Sequence, residues 1–217
     1  MRTDPVLVRS ANGVGRLTFN RPERRNALSP QMLELFHDKL EELDADREIR
    51  CIVVDGAGGN FVAGADIQAW GRLQDRSPGG LSDDFRASLS GALPTARLFD
   101  SIEKPVIVAL QGYTIGAGLS FVLAADFVIA DQTAALVFGH IRMGLVPDMG
   151  LTYYLPRVVG ERRALQLTLL GSQLDAAQAK GLGLVDEVVA SCVSDEDFME
   201  AVTAFCERRQ AKFGPRS

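Results

Sequence analysis

Cysteine is scarce in this sequence. Its 217 residues contain only Cys51, Cys192 and Cys206, an odd number with no CxxC spacing. A disulfide framework needs paired cysteines in an oxidising compartment, and a structural zinc site needs closely spaced ligands. The sequence therefore predicts a protein of a reducing compartment, which we take to be the cytoplasm, without a metal site.

Basic residues are also fewer than acidic residues. The 23 lysine and arginine residues face 28 aspartate and glutamate residues, so the net charge is −5. Nucleic-acid-binding proteins carry basic patches or stripes. None is visible here, which excludes nucleic acid as the main partner, although a local site for a small anion is compatible with this balance. Hydrophobic residues make up 47% of the chain, enough for a substantial core.

No apolar run has the continuity of a membrane span. The most hydrophobic stretch, residues 105–130, is interrupted by Gln111, Ser120 and Asp126. A transmembrane helix needs about 20 predominantly apolar residues, so this stretch predicts a buried strand followed by a buried helix. The N-terminal MRTDPVLVRS also lacks the apolar segment of a secretory signal peptide. We expect no membrane contact.

Strand and helix signals alternate along the chain and predict an α/β fold. VLVRS and GRLTF have the alternation of strands, and Ser29 followed by Pro30 has the form of a helix N-cap and first turn. CIVVDG and PVIVAL have the continuous apolar character of strands that are buried on both faces. Helical spacing of apolar residues predicts an amphipathic helix over 30–45. These residues are Leu33, Phe36, Leu40 and Leu43.

The second half of the chain continues the same alternation. FVIAD, ALVF and LVDEVV predict further strands, and RRALQLTLLG and DAAQAKGLG predict helices that end in glycine. The intervening GHIRMGLVPDMGL is predicted to be a loop. A polar stretch at about 71–94 predicts a flap or insert, and 195–210 predicts a polar helix.

Two glycine-containing loops share one design, because each follows a buried strand and leads toward a helix. The first contains Ala63, Gly64, Ala65 and Asp66, and the second contains Gly116, Ala117 and Gly118. Small residues let a ligand approach backbone N–H groups closely, and the first N–H groups of a helix lack partners. Two such donors on one oxygen form an oxyanion hole, which suits a thioester that becomes an enolate. Either loop alone is equally compatible with a packing role.

Together with longer motifs, these loops resemble the enoyl-CoA hydratase/isomerase (crotonase) superfamily from about Val6 to Val189. NRPERRNALS resembles its opening turn, FVAGADI its first oxyanion loop, and EKPVIVALQGYTIGAGLSFVLAADFVIAD its central strand, second oxyanion loop and buried helix. MGLVPDMGLTYYLPRVVGERRALQLTLLG and AKGLGLVDEVV resemble its later segments. The resemblance implies a spiral of ββα repeats over 1–190. It also implies a coenzyme A thioester as substrate, no other cofactor, and a homotrimer or a dimer of trimers.

The resemblance further implies particular site residues. By the match, the N–H groups of Ala65 and Ala117 hold the thioester oxygen, with Gly116 or Gly118 as alternatives in the second loop. The coenzyme A lies against the first loop, on positions that match Arg25, Ala27, Ala63, Gly64, Asp66 and Ile67. Arg24 and Arg25 are candidates to pair with phosphates or are solvated surface residues. Members of the superfamily continue with further helices, so 191–217 is expected to be the start of a truncated C-terminal helical segment.

The residues that match the hydratase acid and base are atypical. Hydratases of the superfamily use two glutamates, and the matching positions here hold Ser120 and His140. Asp148, in VPDMG, matches a loop that faces the acyl end, where an aspartate shuttles a proton in one member and attacks a ring in another. We therefore expect double-bond isomerisation with Asp148 as proton shuttle, since apolar surroundings favour the proton-carrying form of a carboxyl group. The alternative is that Asp148 caps a turn after Pro147.

Other functions stay open at this point. A hydratase could use His140 in place of a glutamate, because histidine side chains titrate near neutrality, or His140 has a purely structural role. A scaffold that binds acyl-CoA without catalysis is the third alternative. A dehalogenase is disfavoured, because residues 67–70, directly after Asp66, contain no histidine to activate water.

Overall fold

The computed structural model describes residues 4–66, 99, 101–189, 204 and 209. Within these ranges the chain forms two β-sheets and several helices. The larger sheet contains β1 Val6–Ala11, β2 Val14–Phe19, β3 Cys51–Gly56, β4 Val106–Leu110, β6 Phe127–Asp131 and β9 Glu187–Val189. The smaller sheet contains β5 Tyr113–Ile115, β7 Ala135–Val137 and β8 Gln173–Asp175.

The larger sheet is mostly parallel, in the order β1-β2-β3-β4-β6-β9. Only β1 and β2 pair in the antiparallel sense among these strands. They form a hairpin whose turn residues Asn12 and Gly13 have φ angles of 53° and 79°, the left-handed conformation that two-residue hairpin loops require. In the smaller sheet β7 lies between β5, which is parallel to it, and β8, which is antiparallel.

Helices cover the sheets. They are α1 Pro30–Ala45, α2 Gly118–Ala124, α3 Leu151–Val159, α4 Glu161–Leu169 and α5 Ala176–Gly181. Short 3-10 helices occupy Pro22–Arg24 and Gly139–Met143. The predicted start of α1 is confirmed, because the Ser29 hydroxyl accepts the N–H of Met32 at 3.2 Å. Within the described residues, no helix is both long and apolar enough to cross a membrane.

Opposite faces of the larger sheet contribute to two separate hydrophobic clusters. On β3, Ile52 and Val54 join the main core, whereas Cys51 and Val53 join a smaller cluster with residues of β4 and β6. Burial on both faces explains the continuous apolar run of β3. In the main core, Phe121 of α2 lies against Phe19 and Phe36, with ring centres 5.3 Å away in each case. These aromatic contacts fix the position of α2.

Several elements differ from the sequence-based expectation. The segment predicted as a loop around His140 contains the 3-10 helix Gly139–Met143, and α3 was not predicted. Strands β5 and β8 have three residues each, too few for a period-two pattern to be recognised. On α1, Phe36, Leu40 and Leu43 are buried as predicted, but Met32 replaces the half-buried Leu33 in the buried set.

Some predictions fall on residues outside the described ranges. They are the polar stretch at 71–94, almost all of the helix predicted at 195–210, and the boundary near residue 190. Of the predicted C-terminal segment 191–217, the structure describes only Ala204, which is helical and buried, and Arg209, which is exposed.

Candidate active site

The first glycine loop lies beside the residue that precedes the N-cap of α1. Leu28 donates its N–H to the carbonyl of Gly64 at 2.8 Å, and its own carbonyl accepts the N–H of Asp66 at 2.9 Å. Ala65 lies between these two bonds as the parallel bridge partner of Leu28. In this pairing the middle residue turns its own N–H away from the partner. The N–H of Ala65 has no hydrogen-bond acceptor among the described residues.

Asn26 fixes the chain that leads into this loop. Its side chain is fully buried, and its Oδ1 accepts the backbone N–H of Arg21 at 2.8 Å. Its Nδ2 donates to the carbonyls of Ala57 and Asn60, at 2.9 and 2.8 Å. The Asn60 side chain accepts the N–H of Tyr113 through Oδ1 at 3.1 Å. Two asparagines therefore connect the first loop to β5, the strand that leads to the second loop.

The second glycine loop, Gly116 to Gly118, joins β5 to α2. The N–H of Gly116 donates to the carbonyl of Val137 at 3.1 Å, and the carbonyl of Gly116 accepts the N–H of Leu119 at 2.9 Å. Ala117 is the N-cap of α2. Its N–H has no acceptor among the residues that the structure describes, as expected at the first positions of a helix.

The two loops lie in direct contact. A Cβ placed on Gly118 would lie 2.6 Å from the carbonyl oxygen of Val62. A Cβ placed on Gly64 would lie 3.0 Å from the carbonyl oxygen of Ile115 and 3.9 Å from the backbone nitrogen of Ala117. Only a residue without a side chain permits this approach. The glycines therefore bring two loops together, each of which carries one unpaired N–H group.

A histidine and a carboxylate lie beside the second loop. Nε2 of His140 is 3.3 Å from Oδ1 of Asp148, and it would lie 3.7 Å from a Cβ placed on Gly116. His140 is 7% exposed and the Asp148 side chain 23% exposed. The 3-10 helix and the turn after it bring the two residues together, because the carbonyl of His140 accepts the N–H of Leu145 at 3.0 Å.

Three buried side chains on the elements around the second loop have a polar atom without a partner among the described residues. Ser120, in the position of a hydratase glutamate, is 3% exposed on α2, and its hydroxyl has no hydrogen bond among the described residues. The same holds for the Thr114 hydroxyl on β5 and for Nδ1 of His140. Neither position that matches a hydratase glutamate supplies a carboxylate, so Asp148 is the carboxylate that the structure places next to this loop.

The arginines predicted to bind phosphates lie on the surface. Arg24 and Arg25 are exposed, and the guanidinium carbon of Arg25 lies 5.6 Å from the ring centre of Tyr113. Arg25 adopts a left-handed conformation, with φ of 49°, and its carbonyl accepts the N–H of Ala63 at 3.0 Å. The backbone of Arg25 therefore supports the first loop while its side chain remains at the edge of that loop.

Other residues predicted to contact coenzyme A are held by Arg21, which the sequence did not single out. Arg21 donates through Nη1 to the carbonyl of Ala27 at 2.8 Å and through Nη2 to the carboxylate of Asp66 at 2.9 Å. Asp66 is therefore an ion-pair partner within the protein. Ile67 lies outside the described residues.

Sequence reasoning missed Asn26, Asn60 and Arg21, whose contacts assemble the first loop. Arg21 and Asn26 lie inside the NRPERRNALS motif, but two of the three partners of Asn26, the carbonyls of Ala57 and Asn60, lie on a distant part of the chain. No group of three or more metal-ligating side chains is found within the described ranges.

The chain is similar in sequence to known proteins. A family model described as enoyl-CoA hydratase/isomerase matches residues 9–212. The chain is 40% identical over 187 residues to the 1,2-epoxyphenylacetyl-CoA isomerase of Escherichia coli (strain K12), an alignment that covers 85% of this chain and 69% of that protein.

Solved structures give the same picture. An enoyl-CoA hydratase/isomerase from Cupriavidus metallidurans CH34 superposes with a TM-score of 0.84 at 29% identity, covering 95% of this chain and 76% of the other. An enoyl-CoA hydratase from Bacillus anthracis gives a TM-score of 0.82 at 28% identity, covering 94% and 76%. The predicted α/β fold of crotonase type is therefore confirmed.

Proposed function

Because the chain belongs to the enoyl-CoA hydratase/isomerase family, whose members act on acyl-CoA substrates, we propose that this enzyme moves a double bond along an acyl-CoA. The N–H groups of Ala65 and Ala117 hold the thioester oxygen, and the carboxylate of Asp148 carries the proton. The coenzyme A lies along the first loop. The residues beside it are Arg25, Ala27, Ala63, Gly64, Asp66 and Ile67.

The proposed reaction has two proton transfers. With a 3-enoyl-CoA, the carboxylate of Asp148 removes a proton from C2, and the electron pair delocalises onto the thioester oxygen. The two N–H groups stabilise this oxygen, where negative charge develops. The protonated Asp148 then delivers the proton to C4, which yields the 2-enoyl-CoA and restores the carboxylate. No water or other co-reactant is consumed.

One observation carries this proposal: the Asp148 carboxylate lies beside the second of two contacting loops, each of which has an N–H group without an acceptor among the described residues. The Asp148 carboxylate contacts His140, His140 lies against Gly116, and the Gly116 loop contacts the Gly64 loop. Because both positions that match a hydratase glutamate lack a carboxylate, this arrangement favours proton shuttling by Asp148 over hydration by a pair of carboxylates, since hydration needs separate groups to activate water and protonate carbon.

The test is turnover in deuterated water with 3-enoyl-CoA and 2-enoyl-CoA as substrates. We expect double-bond migration with deuterium incorporation. Asp148→Asn should lower kcat by about 10²-fold or more, because the general base is lost, with a smaller change in KM. Asp38→Asn is the matched control, since Asp38 lies exposed on α1 and its replacement should leave kcat unchanged.

The same assay separates the alternatives. Formation of 3-hydroxyacyl-CoA from crotonyl-CoA would identify a hydratase, and its loss in His140→Ala would assign the role of the missing glutamate to His140. Because the Escherichia coli relative is an isomerase of 1,2-epoxyphenylacetyl-CoA, that ring epoxide belongs in the substrate panel as a second isomerisation. Coenzyme A binding by a folded protein, without exchange or turnover on any substrate, would leave only a binding scaffold.

We also propose that the protein acts in the cytoplasm as a homotrimer or a dimer of trimers. The support for assembly is a set of exposed apolar side chains on the 3-10 helix before Asp148, on α3 and on and just after α4. They are Ile141, Met143, Val158, Leu165, Leu169 and Leu170, each between 42% and 70% exposed. Contact between subunits is the ordinary way in which soluble proteins cover such side chains. Sedimentation of the purified protein tests this assembly.

A further inference from the structure

The geometry points to a specific role for His140: it is a positioning residue that donates from Nε2 to Asp148, and it does not itself transfer protons. This inference rests on the proposed function of Asp148 as proton shuttle. It concerns which nitrogen of the ring carries the hydrogen, and therefore what the histidine can do to the carboxylate.

The contact between the two side chains allows two arrangements. Nε2 lies 3.3 Å from Oδ1 of Asp148. If Nε2 carries the hydrogen, it donates to a carboxylate. If Nδ1 carries the hydrogen, bare Nε2 accepts from a protonated Asp148. The first arrangement favours the form of Asp148 that removes a proton, and the second favours the form that returns one.

The other ring nitrogen decides between these arrangements. Nδ1 of His140 is buried and has no hydrogen-bond partner among the described residues. A hydrogen on Nδ1 would leave that N–H without an acceptor and would leave Nε2 with nothing to donate to the Asp148 carboxylate, so both ring nitrogens would lack a hydrogen bond. The hydrogen of the neutral ring therefore resides on Nε2.

The contact with His140 orients the carboxylate of Asp148. Its Oδ1 is engaged by His140, and no other hydrogen bond to the carboxylate is found among the described residues. One oxygen is thus fixed by a donor that lies against Gly116 of the second loop. The second oxygen is left to exchange the proton with substrate. His140 thereby couples the orientation of the carboxylate to the loop that carries the N–H of Ala117.

Nitrogen NMR of the wild-type protein is the first test. The chain has two histidines, His37 and His140, so a His37→Gln variant assigns both rings. We expect a hydrogen on Nε2 of His140. A bare Nε2, with the hydrogen on Nδ1, would overturn the inference. This readout does not depend on turnover, so it remains informative if Asp148→Asn shows that the proposed function is wrong.

Kinetics of two substitutions is the second test. Glutamine offers an N–H in place of Nε2 but cannot exchange protons at neutral pH, and phenylalanine fills the volume without a donor. Because a hydrogen bond to a charged group is worth about 1.5–3 kcal/mol, His140→Phe should lower kcat roughly 10-fold to 100-fold with little change in KM. His140→Gln should stay within about 3-fold of wild type on the same argument. If His140→Gln loses as much as His140→Phe, or if neither changes kcat, His140 does not act as a positioning donor.

Discussion

The surroundings of the two glycine loops differ in how completely their buried polar atoms are paired. Beneath the first loop, every hydrogen-bonding atom of the Asn26 side chain has a partner. Around the second loop, three buried side chains leave a polar atom unpaired among the described residues. They are Thr114, Ser120 and His140.

The difference reflects two requirements of the proposed site, which are rigid main-chain donors and side-chain atoms available for binding or proton transfer. A main-chain N–H group can serve as a fixed donor only if the loop that carries it does not move, and saturated hydrogen bonds supply that rigidity. Atoms that take part in binding or proton transfer need a protein environment that does not already occupy them. Buried unpaired atoms are costly, so the three around the second loop mark where a stability cost coincides with the proposed chemistry.

The largest expected effect concerns the first loop, beneath which the side chain of Asn26 is fully hydrogen-bonded. Asn26→Ala removes three hydrogen bonds and leaves the Arg21 N–H and two carbonyls without partners. It also places alanine at a φ of 57°, a conformation that costs a residue with a Cβ about 1–2 kcal/mol. We expect the free energy of unfolding to fall by on the order of 4 kcal/mol, measured by denaturant titration.

Asn12→Ala is the control for the cost of placing alanine in a left-handed backbone conformation. Asn12 has a similar φ of 53° but is exposed in the β1–β2 turn. Its replacement should cost only about 1 kcal/mol. Equal losses at the two positions would mean that the hydrogen bonds of Asn26 contribute little, and the contrast between the loops would then rest on backbone conformation.

The next effect concerns the contact between the loops. Gly118→Ala places a Cβ where Val62 O lies at 2.6 Å, and that oxygen also accepts the N–H of Ile115 at 2.9 Å. The first loop must move, which displaces the N–H of Ala65 from that of Ala117. We expect kcat for double-bond migration to fall by about 10-fold to 100-fold, because loss of one oxyanion donor costs roughly that much or more.

Gly181→Ala distinguishes this effect from a general intolerance of glycine replacement. No atom lies within 4 Å of the Cβ position at Gly181, the last residue of α5, so alanine should leave kcat unchanged. Wild-type turnover in a folded Gly118→Ala protein would show that the spacing of the two loops does not limit the reaction.

The hydrogen bonds beneath the first loop were also harder to predict from the sequence than the loops themselves. Glycines 64, 116 and 118 mark the loops, because the close backbone approach at Gly64 and Gly118 and the positive φ of Gly116 favour residues without side chains. The contacts of Asn26 join it to Ala57 and Asn60, which are 31 and 34 positions away. An asparagine in a loop segment predicts a turn equally well, so its partners are visible only after the fold is formed.

Among the strands and helices, too, the elements that local sequence patterns specify were the ones predicted. The buried strands β3 and β4 and the capped helix α1 were predicted because local patterns specify them. The 3-10 helix that carries His140 was predicted as a loop, since a five-residue element that begins at Gly139 and is followed by Gly144 is too short to show a helical period. The approach of His140 to Asp148 depends on that helix. The sequence therefore named both residues but not the contact between them.

The smallest expected effect tests whether the buried hydroxyl of Ser120, near the second loop, truly lacks a hydrogen-bond partner. Ser120→Ala removes a buried hydroxyl that has no partner among the described residues, and alanine is the better helix former. Ser29→Ala removes a hydroxyl that caps α1 and should cost about 1 kcal/mol. We expect Ser120→Ala to be neutral or to stabilise by up to about 1 kcal/mol, so the two serines should give effects of opposite sign in the same denaturant titration. A loss at Ser120 as large as that at Ser29 would mean that its hydroxyl has a partner in solution, and the second loop would then be as fully hydrogen-bonded at this position as the first.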